Sequence, residues 1–181
     1  REEELKREME KAHEESERHL EELSRKTRDV HRRSEEHLKR LHERTKEVVD
    51  RIVEELRRLP KTDELRKVIE ELERLLRTLK KENEDVRRES EELLKRLEEE
   101  NKRVLKESRD LVRKVEEALR RGEVDEETLR RVIEKNRKLN EDIAKRNEEV
   151  IETNKKLNEE IARRNEEAIK TARKIVEDTK R

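Results

Sequence analysis

Apolar residues recur along this chain at helical spacing and form one stripe in each of three long segments. In the first segment, Leu20 and Leu23 return eighteen residues later as Leu38 and Leu41. Eighteen residues make five turns of an α-helix, so each residue type returns to the same face without drift. The pattern therefore predicts long, nearly straight helices, each with one buried face.

The same repeat places polar residues inside the apolar stripe. Residues 134–151 read EKNRKLNEDIAKRNEEVI, and residues 152–169 read ETNKKLNEEIARRNEEAI. Asn136, Asn140 and Asn147 hold the centre of this stripe, where burial is expected. Comparable positions in all three segments predict a buried polar network of His13, Ser16, His19, Thr27, His31, Ser34, His37, His42, Thr45, Asn83, Ser90, Asn101, Ser108, Asn136, Asn140, Asn147, Asn154, Asn158 and Asn165.

The only proline and the only glycine mark the two breaks between the segments. Pro60 ends the first helix and leaves Thr62 as an N-cap, while Gly122 suits the residue after a helix C-terminus. Asp125 is then the N-cap of the third helix. The predicted helices span about residues 2–59, 62–121 and 125–180.

Short connections predict that consecutive helices lie side by side in opposite directions. The expected fold is all-α, an up-down-up antiparallel bundle of three long helices joined by two short loops. We expect residues 1–181 to form a single three-helix bundle. Val124 and Leu129 have the spacing of a hydrophobic staple at the start of the third helix.

Counting residues away from the two loops predicts which polar positions lie at the same height. The predicted layers are His13 and Ser16 with Ser108 and Asn136; His19 with Asn101 and Asn140; His31 and Ser34 with Ser90 and Asn154; His37 with Asn83 and Asn158; and His42 and Thr45 with Asn165. An unpaired buried polar group costs roughly 1–3 kcal/mol, while a paired one adds little net stability. Such layers penalise wrong pairings, so the pattern predicts that they set helix register and partner specificity.

Charge and composition narrow the class of protein. Charged residues make up 57% of the chain, and Lys+Arg and Asp+Glu balance at 52 each. The interleaved signs argue against a field that would hold nucleic acid or an anionic membrane. No apolar run is long enough for a membrane span or a signal peptide, so we expect a soluble chain without a targeting segment.

Candidate chemistry is sparse. The five histidines never stand three or four residues apart, so no helix presents a chelating pair, and we expect no metal site. The chain has no cysteine and no glycine-rich loop, and its carboxylates lie on solvated faces. We therefore expect no catalytic residue, no cofactor and no small-molecule substrate. Protonation of a buried histidine would disrupt a layer, which leaves a pH response as an alternative.

The chain resembles de novo designed helical bundles with buried hydrogen-bond networks, such as designed helical heterodimers and cage-and-latch switch bundles. The resemblance rests on the connector at residues 121–125 (RGEVD), on the helix bearing His, Ser and Thr, and on the helix bearing Asn and Ile. It covers the whole chain and implies a scaffold or an assembly module.

Two functional classes follow from the sequence. The chain is either a stand-alone monomeric scaffold, or it pairs with copies of itself or with a complementary helix. His19 and His37 lie at one edge of the inward arc of the first helix, and Ser24 and His42 lie at the other. This width favours contact with more than the two neighbouring helices, and so favours assembly.

Overall fold

The computed structural model of this chain describes residues 2–123 and 125–180. Three α-helices account for almost all of them: α1 (Glu2–Arg57), α2 (Asp63–Arg120) and α3 (Glu126–Lys180). The helices pack against one another, which confirms the all-α three-helix fold. The staple predicted between Val124 and Leu129 involves a residue outside the described ranges.

The first loop follows from Pro60 and Thr62. Helix α1 ends at Arg57, two residues before the predicted end, because Leu59 donates its amide to Leu56 three residues back (3.1 Å) and no longer continues the α-helical ladder. Thr62 then caps α2, since its Oγ1 accepts a hydrogen bond from the Leu65 amide at 3.2 Å. Acidic residues follow in the first turn, where the helix dipole favours them.

The second loop depends on the left-handed conformation of Gly122, which has φ of 67°. The Gly122 amide donates to Leu119 O (3.1 Å) and the Glu123 amide donates to Ala118 O (3.0 Å), the two bonds of a Schellman motif. Asp125 caps α3 by accepting a hydrogen bond from the Thr128 amide at 2.8 Å. The Thr128 hydroxyl and amide hold the pKa of the Asp125 carboxyl below its usual value.

The contacts divide the chain into two compact units. Unit 1 comprises Arg1–Val30 and Glu92–Glu152, and unit 2 comprises His31–Glu91 and Thr153–Arg181. Each unit contains a segment of every helix. In each unit, α1 and α2 run in opposite directions and are in contact, as expected for antiparallel neighbours.

Each unit has an apolar cluster close to its own loop. In unit 1, Met9, Val115 and Leu129 are the buried members of that cluster. Unit 2 has a larger cluster made by all three helices, with Val49, Val53, Leu56, Leu65, Leu72, Ala172 and Val176 as its buried members. Away from these clusters, buried polar residues take the place of part of the apolar core.

Buried polar layers as the candidate functional site

Four clusters of buried and partly buried polar side chains lie between the helices, two in each unit. We name each after its most buried α1 residue, or after its histidine. Unit 1 has the His13 layer (His13, Ser108, Asn136) and the Thr27 layer (Ser24, Thr27, Asn101, Asn147). Unit 2 has the His31 layer (His31, Ser90, Asn154) and the Thr45 layer (His42, Thr45, Asn83, Asn165). Each unit 2 layer uses the positions of a unit 1 layer displaced by eighteen residues in every helix.

The Thr27 layer is closed by a pair of asparagines that bind each other. Asn147 Nδ2 donates to Asn101 Oδ1 at 2.8 Å, and Asn101 Nδ2 donates to Asn147 Oδ1 at 3.3 Å. The second proton of each amide goes to Ile143 O and to Ser24 Oγ, respectively. The Thr27 hydroxyl donates to Leu23 O within α1 at 2.8 Å, as Thr45 does to Leu41 O, and it also lies 3.2 Å from Asn147 Oδ1, where it joins α1 to the pair. All donors of both amides are therefore used.

The Thr45 layer has the same positions but looser contacts. Asn165 Nδ2 donates to Asn83 Oδ1 at 3.4 Å, and Asn83 Nδ2 lies 3.4 Å from His42 Nδ1. The Thr45 hydroxyl donates to Leu41 O within its own helix. Among the described residues, the buried Asn165 Oδ1 has no hydrogen-bond partner. The mutual asparagine pair of the Thr27 layer is thus not formed.

The His31 layer is a chain of hydrogen bonds across three helices. Ser90 Oγ donates its single proton to Asn154 Oδ1 at 3.1 Å, and it lies 3.0 Å from His31 Nδ1. Because that proton is already used, His31 Nδ1 must be the donor to Ser90 Oγ. The other ring nitrogen, Nε2, lies 3.9 Å from a Glu35 carboxylate oxygen. Both ring nitrogens of His31 therefore lie near a polar group, Ser90 of α2 on one side and Glu35 of α1 on the other.

The His13 layer is the incomplete counterpart in unit 1. His13 Nδ1 and Ser108 Oγ lie 2.9 Å apart, as in the His31 layer. Asn136 occupies the position of Asn154 and is only 4% exposed, yet its Oδ1 is without a partner among the described residues. Asn136 also lines an open groove of about 400 Å³ between α1 and α3, together with Ser16, His19 and Asn140.

Two predicted members of the network are wrong, because His19 and His37 are exposed. At 100° per residue, these positions lie about 80° from the centre of the inward face at Thr27, twice the offset of His13. Asn101 therefore binds Ser24 and Asn147 instead of His19. Asn83 contacts His42 and Asn165 instead of His37. Ser16, Ser34, Asn140 and Asn158, and the histidines His13 and His42, are partly buried rather than buried.

Ser24 belongs to the Thr27 layer, although the sequence placed it only at the edge of the inward arc. It accepts a hydrogen bond from Asn101 at 3.1 Å, so its contact lies within the chain. The signal that could have found it is its repeat partner, His42. Ser24 and His42 are the one inward pair of α1 in which the repeat changes residue type from Ser to His.

His42 is partly buried in the Thr45 layer, with lysine and glutamate side chains near its ring. Burial lowers the pKa of His42 below its usual 6.5, and Lys80 and Lys46 lower it further against the opposing effects of Glu84 and Glu43. His42 also lines an open groove of about 470 Å³ in unit 2, between α1 and α2. Since Asn83 presents an amide donor to its Nδ1, the neutral ring must accept there.

Exposed ion pairs flank the layers. Arg146 to Glu100 (3.1 Å) joins α3 to α2 in unit 1, and Arg164 to Glu82 (2.6 Å) is the same pair displaced by eighteen residues in unit 2. Other pairs join α1 to α2, and Arg109 lowers the pKa of the Glu17 carboxyl through such a contact. Exposed pairs of this kind contribute little stability.

The described residues contain no group of three or more histidine and acidic side chains arranged to hold a metal ion. Within the same residues, every helix is too polar over its length to cross a membrane. No protein-family model matches the chain, and comparisons with curated proteins and with solved structures likewise find no match.

Proposed function

We propose that this chain is a de novo designed assembly module whose buried polar layers determine helix register and partner choice. The observation that carries the proposal is the mutual pair of Asn101 and Asn147, joined to Thr27 of the remaining helix. One complete layer of this kind touches all three helices. The same positions recur in unit 2, where the buried polar residues also come from all three helices although the mutual pair is not formed.

Energetics support a role in specificity rather than in stability. A hydrogen bond adds only about 1 kcal/mol net, but a buried donor or acceptor without a partner costs about 1–3 kcal/mol. Sliding α3 by one turn against α2 would separate Asn147 from Asn101 and bury both amides against apolar side chains. Several such penalties together exclude the wrong register, whereas an all-apolar seam would tolerate it.

The test replaces a complete layer by apolar residues. A variant with Ser24→Ala, Thr27→Val, Asn101→Leu and Asn147→Leu removes all four members at once and leaves none without a partner, so we expect it to fold with equal or greater thermal stability. We also expect it to populate several registers or assemblies, seen as extra peaks in amide NMR spectra and mixed masses in light scattering. A single set of peaks and an unchanged mass would contradict the proposal.

The proposed mode of assembly is a homo-oligomer or pairing with a complementary helix, and a monomeric rigid scaffold is the competing possibility. The open groove lined by Ser16, His19 and Asn140 supports assembly, because a further helix lying there could pair with these accessible polar side chains. Light scattering on the isolated chain separates the two, since a monomer has a mass of 22.3 kDa.

A second candidate function, an acid-responsive assembly, is favoured by the position of His42. Neutral His42 accepts the Asn83 amide at Nδ1, and protonation would place a second N–H against that donor. Sizing and circular dichroism between neutral and mildly acidic pH test this function. An unchanged mass and spectrum would oppose it.

A further inference from the structure

A stripe of charged residues along α1 changes sign only once. The stripe follows the eighteen-residue repeat on the side of α1 that borders α3, and all of its members are exposed: Glu4, Glu8, Glu15, Glu22, Lys26, Arg33, Arg40, Arg44 and Arg51. The first four are acidic and the last five are basic. Most inward positions between residues 13 and 48 keep their residue types from one repeat to the next, whereas this outer stripe changes from acidic to basic.

The helix dipole does not account for this arrangement. Charges complement the dipole only in the first and last turns of a helix. Here the sign changes between Glu22 and Lys26, near the middle of α1. A neighbouring outer stripe of the same helix, with Arg7, Arg25 and Glu43, begins basic and ends acidic, so the acidic N-terminal half is not a property of every face.

We propose that this α1 stripe binds a second copy of the chain in antiparallel orientation; the proposal rests on the assembly function above and names its partner and surface. The pairs Glu4–Arg51, Glu15–Arg40 and Glu22–Arg33 all share one midpoint, between residues 27 and 28. A twofold axis through that point places the acidic residue of each of these three pairs opposite the basic residue of the same pair in the other copy. A parallel pair would instead place like charges opposite each other.

The groove beside the stripe supplies a second reason for a partner at this face. Glu15 lines that groove together with the polar side chains of Ser16, His19 and Asn140. In the antiparallel arrangement, Arg40 of the second copy lies opposite Glu15. Its guanidinium has five donor groups, so it can bind the Glu15 carboxylate and still offer a donor to the groove.

The test uses two charge-reversal variants of the full chain. The all-basic variant carries Glu4→Lys, Glu15→Lys and Glu22→Lys, and the all-acidic variant carries Arg33→Glu, Arg40→Glu and Arg51→Glu, so each reverses one side of the three pairs. We expect wild type to have about twice the monomer mass by light scattering at low salt, and each variant to lose that mass. Because exposed ion pairs are individually weak, the dissociation constant of each variant should rise on the order of tenfold to a hundredfold.

Mixing the two variants in equal amounts should restore the dimer mass, because an all-basic stripe then faces an all-acidic one. The matched control reverses three exposed charges on the neighbouring stripe, with Arg7→Glu, Arg25→Glu and Glu43→Arg, and should keep the wild-type mass. High salt should weaken the wild-type dimer, since screening acts fully on exposed charges.

Cross-linking tests the orientation of the two copies, and the unsubstituted chain has no cysteine that would react. In the antiparallel dimer, residue 26 of one copy lies beside residue 26 of the other. Residues 8 of the two copies lie about 58 Å apart at 1.5 Å per residue. A short bis-maleimide should therefore link Lys26→Cys into a dimer and leave Glu8→Cys monomeric.

Three outcomes would overturn the proposed surface. In the first, wild type has more than the monomer mass but the charge-reversal variants keep that same mass. In the second, the equal mixture of the two variants stays monomeric. In the third, the bis-maleimide links Glu8→Cys efficiently into a dimer. The first leaves assembly through another face intact, so the surface fails alone. A wild type of 22.3 kDa under all conditions would overturn both the surface and the homo-oligomeric mode. The layer substitution test is independent of either result.

Discussion

Unit 1 and unit 2 contain the same polar positions, yet each completes a different layer. In unit 1, Asn101 and Asn147 satisfy each other, while Asn136 Oδ1 stays without a partner. Unit 2 shows the reverse, because the layer of His31 is linked across three helices, and Asn165 Oδ1 is the unpartnered atom. Repeated residues therefore do not guarantee repeated hydrogen bonds.

The change from Ser24 to His42 explains part of the difference. Ser24 is small, and its hydroxyl receives one proton of Asn101 while the other proton binds Asn147. The larger imidazole at position 42 meets Asn83 at 3.4 Å, and the next bond in that layer also lengthens to 3.4 Å. We have no comparable account of why Asn136 is unpartnered, since the residues of the His13 and His31 layers are the same types.

The largest expected difference between the units is the loss of stability when one asparagine is removed from each. Asn147→Leu leaves both the donor and the acceptor of Asn101 without their partner in α3, so we expect a loss of about 2–3 kcal/mol in the free energy of unfolding. Asn165→Leu removes an unpartnered oxygen, one long bond to Asn83 and a bond to Ile161 O within α3 that Asn147 matches with Ile143 O, so its cost should be smaller, about 1 kcal/mol. Urea unfolding gives the totals, and hydrogen exchange locates the loss. Equal losses would contradict the difference between the layers.

Exchanging the residue types at positions 24 and 42 should strengthen the hydrogen bonds of the Thr45 layer and weaken those of the Thr27 layer. His42→Ser recreates the Ser24 environment in unit 2, and we expect slower amide exchange there, equivalent to about 1 kcal/mol. Ser24→His should loosen unit 1 by a similar amount. Asn83 side-chain NMR signals provide the direct measure of tightening. If His42→Ser instead speeds exchange, the imidazole fills space that serine leaves empty, and the proposed cause is wrong.

Acid should loosen the Thr45 layer of unit 2, which contains His42. Burial lowers the pKa of His42 in the folded state below its usual 6.5, so the unfolded chain binds the proton more readily. The stabilising contribution is therefore complete above pH 6.5 and is lost as the pH falls from there through the lowered pKa. Loss of the Asn83 bond itself is worth on the order of 1 kcal/mol.

Hydrogen exchange of unit 2 against pH measures this effect, with His42→Ser as the control that should remove it. A pH dependence that survives in His42→Ser would assign the response to another group.

Much of this structure could be predicted from the sequence, and the failures have a common cause. Pro60 and Gly122 gave the breaks, since proline cannot continue a helix and glycine takes the left-handed conformation at its end. The central asparagines Asn136 and Asn147 are buried as expected. Positions at the edge of the inward arc failed: His19 is exposed, while Ser24 contacts a neighbouring helix.

Burial predictions fail at the edge of the inward arc because the spacing of hydrophobic residues gives the direction of the buried face. It does not give how far a neighbouring helix covers that face. Hydrogen-bond partners are harder still. The height of a residue can be counted to about one turn, but bond formation depends on distances well below 1 Å. The shift of the Asn83 contact from His37 to His42 is an error of this size, since the two histidines are little more than one turn apart.

The smallest predicted effect uses the ion pair that is the same in both units. Arg146–Glu100 and Arg164–Glu82 occupy repeat-related positions, and both are partly exposed. Double-mutant cycles with Arg→Gln and Glu→Gln should give coupling energies of about 0.2–1 kcal/mol, equal in the two units within error and reduced by salt. Equal couplings would show that the helices carrying these pairs approach each other similarly in both units, so the difference between the layers arises from the residues within them. A coupling present only in unit 1 would instead indicate that α2 and α3 are more widely separated in unit 2, and the role assigned to His42 would then have to be abandoned.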